Sequence, residues 1–241
     1  MKASHMPQAQ KISPNKTLLI SDATRPLAAS WFDPDYWQSQ HALAGTGTGR
    51  GAVWFIKSPL GSFVLRRYRR GGLIAKFNKD HFLFTGQKHT RPWLELSLLE
   101  QMRSLDLPVP RPIGGIYVVN KGFYQSQLLT ETIANAQDLF EIIKMGQSHQ
   151  LDWHNIGAVV KQFHNQGIYH SDLNCHNIMI DQDNKVWLID FDKCEQRSQN
   201  QQWQQANLDR LKRSLDKESK LHAKFTVSDA QWRNCLEGYR G

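Results

Sequence analysis

Tyr169-His170-Ser171-Asp172-Leu173-Asn174-Cys175-His176-Asn177 runs into the apolar triplet Ile178-Met179-Ile180, a polar turn at 181–185, and then Val186-Trp187-Leu188-Ile189-Asp190-Phe191-Asp192. Two short apolar runs about a polar turn predict a β-hairpin, so the residues just before the first run and just after the second meet at its open end. Those residues are Asn177 and Asp190, and Asp172 lies in the loop leading into the same end. Two carboxylates and a carboxamide thus converge with no cation in the motif. Such a set of hard oxygen ligands is stabilised by a divalent cation.

Working outward, Ile156, Val159, Val160 and Phe163 repeat as on one face of a helix, and Gly167 stands where a left-handed C-terminal cap belongs. Residues 203–222 predict a basic amphipathic helix with Leu208, Leu211, Leu215 and either Glu218 or Leu221 on one side, and a last helix holds Trp232, Cys235 and Leu236. The first half reads differently. A short helix around Asp33-Pro34-Asp35 turns Trp37 inward, and apolar runs at 53–56 and 63–65 predict paired strands. Asn120-Lys121-Gly122 marks a second hairpin between strands at 116–119 and 123–129. Between the two hairpins, Pro92 opens a helix whose face is marked by Leu94, Leu98, Met102 and Leu105. The fold expected is α+β: an N-terminal antiparallel sheet with one helix over 1–130, in which 1–30 form an irregular arm, and a mainly helical C-terminal lobe over 131–241.

The chain has 241 residues, enough to bury a core in one unit or in two small lobes sharing a cleft. No stretch approaches the roughly 18 unbroken apolar residues of a membrane span, and the N-terminal sequence MKASHMPQAQK lacks the apolar region of a secretory signal. The expectation is a cytoplasmic protein. Three cysteines, Cys175, Cys194 and Cys235, make no disulfide framework, and a zinc site from Cys175, His176 and Cys194 lacks the usual ligand spacing. The net charge of +8 suits an anionic partner as well as plain solubility. Its most concentrated part is Arg66, Arg67, Arg69 and Arg70, just before Gly71-Gly72.

The order His-x-Asp-x-x-x-x-Asn followed by Asp-Phe-x, with Asp190 18 residues after Asp172, resembles the catalytic and metal-binding loops of the protein-kinase superfamily. The resemblance implies a two-lobed protein-kinase-like fold using ATP and Mg²⁺. It implies Asp172 as the residue that serves the acceptor hydroxyl, and Asn177 and Asp190 as Mg²⁺ ligands. Upstream, Gly47, Gly49 and Gly51 stand where a glycine loop covers the nucleotide phosphates, although their spacing departs from the family pattern and also suits a plain hairpin turn. Arg66 stands in for the strand lysine, with Lys57 as its rival. Glu95 fits the acid that pairs with that cation, with Glu100 the other choice. Glu131 falls in Leu128-Leu129-Thr130-Glu131-Thr132-Ile133, which resembles the hinge whose backbone reads adenine.

No Ala-Pro-Glu follows Asp-Phe, and Asp192 replaces the usual glycine, which argues against a peptide-docking segment and protein substrates. The resemblance then narrows. The stretches 66–72, 77–80 and 108–112, together with 170–177, 190–194 and Asn207-Leu208-x-Arg210-Leu211-Lys212-Arg213-Ser214, are similar to the bacterial 3-deoxy-D-manno-octulosonic acid (Kdo) kinases, relatives of the lipopolysaccharide heptose kinases. That similarity implies phosphoryl transfer to the 4-hydroxyl of Kdo on a lipid A precursor, at the cytoplasmic face of the bacterial inner membrane. Arg67, Arg69 and Arg70 suit an anionic glycolipid and an anionic membrane surface; the alternative is a strand edge kept solvated by charge. No nucleic-acid module or obligate protein partner is expected. A kinase of another sugar or small molecule, such as a heptose or aminoglycoside-like acceptor, and a non-catalytic nucleotide- or nucleic-acid-binding protein remain as alternatives.

Overall fold

A computed structural model describes residues 6–47, 53–69 and 80–241. Gly49, Gly51 and Arg70, together with 71–79, therefore lie outside the described residues. The chain divides into two compact units: Met1–Ser104 with Pro110–Thr132, and Leu105–Val109 with Ile133–Gly241. The fold is α+β, a large antiparallel sheet in the first unit and mostly helices in the second, as expected of a kinase-like protein.

In the first unit the elements are β1 (Gln8–Ser13), β2 (Lys16–Ile20), α1 (Pro34–Ser39), β3 (Leu43–Thr46), β4 (Val53–Ser58), β5 (Gly61–Arg67), β6 (Phe82–Leu83), α2 (Arg91–Ser104), β7 (Pro112–Asn120) and β8 (Phe123–Glu131). The strands lie in the order β1-β2-β7-β8-β5-β4-β3, with β6 on the remaining length of β8. β7 and β8 turn through Lys121-Gly122, both at positive φ, the two-residue turn that the sequence marks. Alternation along β5 divides the sheet's two faces. Phe63 and Leu65 join a core of Trp31, Phe32, Trp37, Ile113 and Ile116, while Arg66 and Tyr68 point the other way, toward α2. Trp37 donates its indole N–H to the Trp31 carbonyl at 2.7 Å, satisfying the one polar atom it would otherwise strand in this core.

Two expectations for this unit need correction. The expected irregular arm over 1–30 is, from Gln8 to Ile20, a hairpin of β1 and β2, which β2 joins to β7 in register from Lys16↔Val118 to Ile20↔Gly114. Leu18 and Leu19 are buried there. β1 is an edge strand exposed almost throughout, so its polar residues carry no inside–outside alternation to read. On α2, Leu94 and Leu105 are not on the inner face; Pro92, Leu96, Leu99 and Met102 are, with Glu95 among them. Spacing of three and four runs through that set, and Leu94 falls on the opposite side.

The second unit holds β9 (Gln137–Asp138), α3 (Leu139–Lys144), α4 (Trp153–Asn165), β10 (Ile168–Tyr169), β11 (Ile178–Ile180), β12 (Val186–Leu188), β13 (Glu195–Gln196), α5 (Gln201–Leu221) and α6 (Asp229–Arg240). Each helix starts on a side-chain acceptor: Asp138, Asp152, Asn200 and Ser228 take an N–H of the first turn, and Ser228 forms a reciprocal pair with Gln231. α4 ends as its sequence indicates, with Gly167 at φ +72° just past the last turn. α4 and α6 cross at Gly157 and Gly238. A Cβ at Gly157 would stand 1.8 Å from the Cys235 carbonyl oxygen, and one at Gly238 would stand 1.9 Å from that of His154. Only glycine admits so close a crossing.

Near that crossing His164 accepts a hydrogen bond from the Tyr239 hydroxyl at Nδ1 (2.7 Å) and donates from Nε2 to Asn207 Oδ1 (3.3 Å). Burial pushes its imidazole down to about 4, despite the hydrogen bond to Asn207, which favours the charged form. The folded protein therefore holds His164 neutral at a pH where the unfolded chain protonates it, near 6.5. The stability this confers is complete above pH 6.5 and is lost as pH falls toward 4, a change on the order of 3 kcal/mol. Urea midpoints measured from pH 7 to 4.5 should decline steeply for the wild type and less steeply for His164→Gln, which has no proton to take up.

Candidate active site

The hairpin of β11 and β12 pairs Ile178 with Leu188, and one step beyond it the Ile189 N–H donates to the Asn177 carbonyl at 3.0 Å. Asn177 and Asp190 thus stand at the open end, where the sequence puts them. The loop 170–177 is held against this end by its own polar atoms. His170, buried, accepts the Asp172 N–H at Nδ1 (3.2 Å) and donates from Nε2 to the Ile189 carbonyl (3.0 Å). Those two bonds define one neutral tautomer, and burial keeps the imidazole's pKa below its ordinary value, favouring that form. His170 is therefore a spacer between the two halves of the site.

Asn177 donates its Nδ2 to the Asp172 carbonyl at 2.9 Å, which fixes the amide and turns Oδ1 the other way. Asp190 has φ +63°, a left-handed conformation uncommon for a non-glycine residue. Asp172 is half-exposed, and its Oδ1 accepts from both Nε (2.9 Å) and Nη2 of Arg210 on α5.

α5 supports the whole loop. Asn207 Oδ1 accepts the His170 N–H (3.2 Å) and its Nδ2 donates to the His170 carbonyl (3.0 Å). Ser214 Oγ accepts the Cys175 N–H (3.1 Å), and Glu218 pairs with His176 at 3.7 Å. Burial alone would raise the Glu218 carboxyl, but a hydrogen bond and charge from Lys217, with His176 beside it, bring it below the ordinary value. Asn207, Arg210, Ser214 and Glu218 are i, i+3, i+7 and i+11, one face of the helix. They meet residues 170, 172, 175 and 176 in turn. Only Glu218 of the four was placed on this helix face by the sequence pattern; the signal for the others is their position along the border of the apolar stripe Leu208, Leu211, Leu215.

In the first unit Arg66 Nη2 lies 2.5 and 2.7 Å from the two carboxylate oxygens of Glu95, and Tyr68 donates its hydroxyl to Glu95 Oε2 at 2.7 Å. The rivals are elsewhere. Lys57 is exposed on β4, and Glu100 accepts from the Ser21 hydroxyl at 2.6 Å. Gly47 donates its N–H to the Val53 carbonyl, continuing the β3–β4 pairing. Glu131 ends β8; its N–H is taken by the Arg111 carbonyl and its side chain by Arg25 at 2.5 Å. Arg25 and Arg111 also hold Asp22, at 3.1 and 3.0 Å. Burial would raise the Asp22 carboxyl, but hydrogen bonds from Thr24 and these two cations bring it below the ordinary range. Arg67 lies over the Trp54 ring at 5.8 Å and Arg69 is exposed.

Among the described residues no group of three His, Cys, Asp or Glu side chains could hold a metal ion by itself, and the three cysteines are unpaired by disulfides. Burial pushes the Cys175 thiol up to about 11 and that of Cys235 to about 12, so both are inert thiols at neutral pH. Asn177 Oδ1 and the Asp190 carboxylate are hard oxygen donors, too few to complete a coordination shell. That fits a cation such as Mg²⁺, which keeps several waters and takes phosphate oxygens from its nucleotide.

The fold and the His-x-Asp…Asn, Asp-Phe arrangement are those of a kinase-like protein. Residues 34–239 match the lipopolysaccharide kinase (Kdo/WaaP) family, and the chain belongs to that family. It is 45% identical over 212 residues to the 3-deoxy-D-manno-octulosonic acid kinase of Vibrio vulnificus (strain YJ016), covering 86% of this chain and 87% of that one. Against the protein of the same name from Mannheimia succiniciproducens it is 40% identical over 227 residues, 91% of this chain and 93% of the relative. For that of Pasteurella multocida (strain Pm70) the values are 39% over 219 residues, 88% and 90%.

Glu95 is 4% exposed, and Arg66 and Tyr68 are bonded to its carboxylate. Removing one partner of a buried pair leaves an uncompensated charge. Arg66→Ala should lower stability by about 3 kcal/mol, Arg66→Lys by less, and Lys57→Ala by no more than about 0.5 kcal/mol, as read from denaturant midpoints.

Proposed function

We propose that this protein transfers the γ-phosphoryl group of ATP to the 4-hydroxyl of Kdo on a Kdo–lipid A precursor. The observation that carries the reading is the bonded set Asp172–Asn177–His170–Ile189–Asp190 in a chain so similar to proteins named 3-deoxy-D-manno-octulosonic acid kinase. The acceptor oxygen attacks the γ-phosphorus, the bond from that phosphorus to the β–γ bridging oxygen breaks, and ADP leaves. The hydroxyl proton passes to the Asp172 carboxylate. Asn177 and Asp190 hold Mg²⁺, which when bound neutralises charge on the phosphate oxygens. Arg66, kept in place by Glu95, offers its fork to the nucleotide phosphates. The segment that carries Gly47, Gly49 and Gly51 covers the phosphates, with the Gly47 N–H itself engaged by the Val53 carbonyl, and the segment around Glu131, whose own N–H is held by Arg111, receives adenine.

The place of work proposed is the cytoplasmic face of the inner membrane, reached from the aqueous side. No helix among the described residues is long and apolar enough to cross a membrane. Arg67, Arg69 and Arg70 then favour the phosphates of the glycolipid and an anionic leaflet.

Incubation with Mg·ATP and three acceptors tests the reading: a Kdo–lipid A precursor, the same precursor without Kdo, and a heptose-bearing core. A single added phosphate, mapped to the Kdo ring, is expected with the first alone. Phosphate on heptose or on the Kdo-free precursor would reassign the acceptor. In the same assay Asp172→Ala should reduce kcat by about 100- to 10,000-fold with ATP affinity preserved, whereas Asp190→Ala should weaken Mg·ATP binding as well. An Asp172→Ala enzyme with wild-type turnover would remove Asp172 from the chemistry.

A further inference from the structure

Arg210 is bonded to Asp172, yet its side chain remains 46% exposed. Nε and one Nη2 proton serve Asp172 Oδ1. A guanidinium has five N–H donors in a rigid fork, so three remain, and they meet no acceptor among the described residues. Asp172 is matched to this, because it engages Arg210 through Oδ1 alone and its Oδ2 accepts no hydrogen bond among the described residues. An exposed ion pair adds little to stability, whereas the hold of Asn207 and Ser214 on the same loop uses backbone groups and does not need Arg210. The pair therefore presents one open acceptor and one half-open cationic fork, side by side, to whatever approaches Asp172.

We propose that Arg210 receives the carboxylate of the acceptor sugar while Asp172 Oδ2 takes the hydroxyl, so that this arginine selects an acidic sugar over a neutral one. The inference rests on the proposed reaction at Asp172. In a 3-deoxy-octulosonic acid the carboxylate is carried on C2 and the reacting hydroxyl on C4, one methylene apart. A group that engages the hydroxyl has the carboxylate beside it, and the cation bonded to that group is Arg210. Bringing a second carboxylate next to Asp172 would be unfavourable against a single compensating charge. Arg213, exposed one turn further along α5 and without an ion pair among the described residues, supplies a second. A neutral heptose offers nothing to the fork, which then stays hydrated.

The test compares kcat/KM for a Kdo-bearing lipid A precursor and for its carboxyl methyl ester, which keeps the hydroxyl and removes the charge. The wild type should favour the acid by about tenfold or more, the scale of a lost charge-assisted hydrogen bond. In Arg210→Gln that preference should collapse to near unity, and Arg210→Lys, a point charge without the fork, should keep part of it. ATP affinity and melting temperature should be unchanged in both variants, since the side chain is exposed. Loss of activity toward acid and ester by the same factor, with the preference intact, would make Arg210 a holder of Asp172 only and overturn the proposal. So would a wild type indifferent to the ester. Phosphorylation of neither compound by the wild type would remove the functional reading, and this inference with it.

Discussion

One carboxamide joins the parts on which the site depends. Asn207 brackets the backbone of His170, accepting from its N–H and donating to its carbonyl, in a buried position. A buried amide left unpaired would cost a few kcal/mol, so α5 and the loop 170–177 are locked in one register. Every further contact of the helix with the loop, at Arg210, Ser214 and Glu218, follows from that register by the geometry of a helix. The same Asn207 oxygen also accepts from His164, so α4, α5 and the loop meet at a single atom. Polar networks of this kind specify one arrangement strongly because a shifted one leaves several groups without partners.

The parts of the fold most legible in the sequence are those set by local chemistry. The Lys121-Gly122 turn, the Gly167 cap and the β11–β12 hairpin each need only a few neighbouring residues to declare themselves. The convergence of Asn177 and Asp190 is legible for the same reason, since a hairpin brings its ends together whatever surrounds it. What the sequence leaves dark depends on tertiary neighbours. β1 is exposed on both faces and becomes a strand by pairing with β2. Leu94 looks like part of an apolar face, and only the packing of α2 on the sheet shows that Glu95 is inside and Leu94 outside. The pairing of Arg66 with Glu95 follows from the alternation of β5, which aims Arg66 at the helix that carries Glu95. Arg210 has no legible role in the sequence, because nothing near residue 210 reveals that residue 172 faces it.

Two of the buried acids, Glu95 and Asp22, are handled by different means. Glu95 is held by the Arg66 guanidinium and the Tyr68 phenol. Asp22 is shared between Arg25 and Arg111, and Arg25 reaches on to Glu131 at the end of β8. The second arrangement ties the start of β7, the end of β8 and the segment after β2 into one charged chain, so that a change at Asp22 is felt at three places along the sheet's border.

The hydrogen bonds from His170 through Asn207 and His164 end at the hydroxyl of Tyr239, in the last turn of α6. The loop bearing Asp172 is thus finished by a residue translated nearly seventy positions later. While the nascent chain is short of residue 239, the loop has its local hairpin but not the helix pair that backs it. Synthesis therefore imposes an order on the fold: the polypeptide can lay down its sheet early, yet the hydrogen-bonded backing of this loop waits for α6.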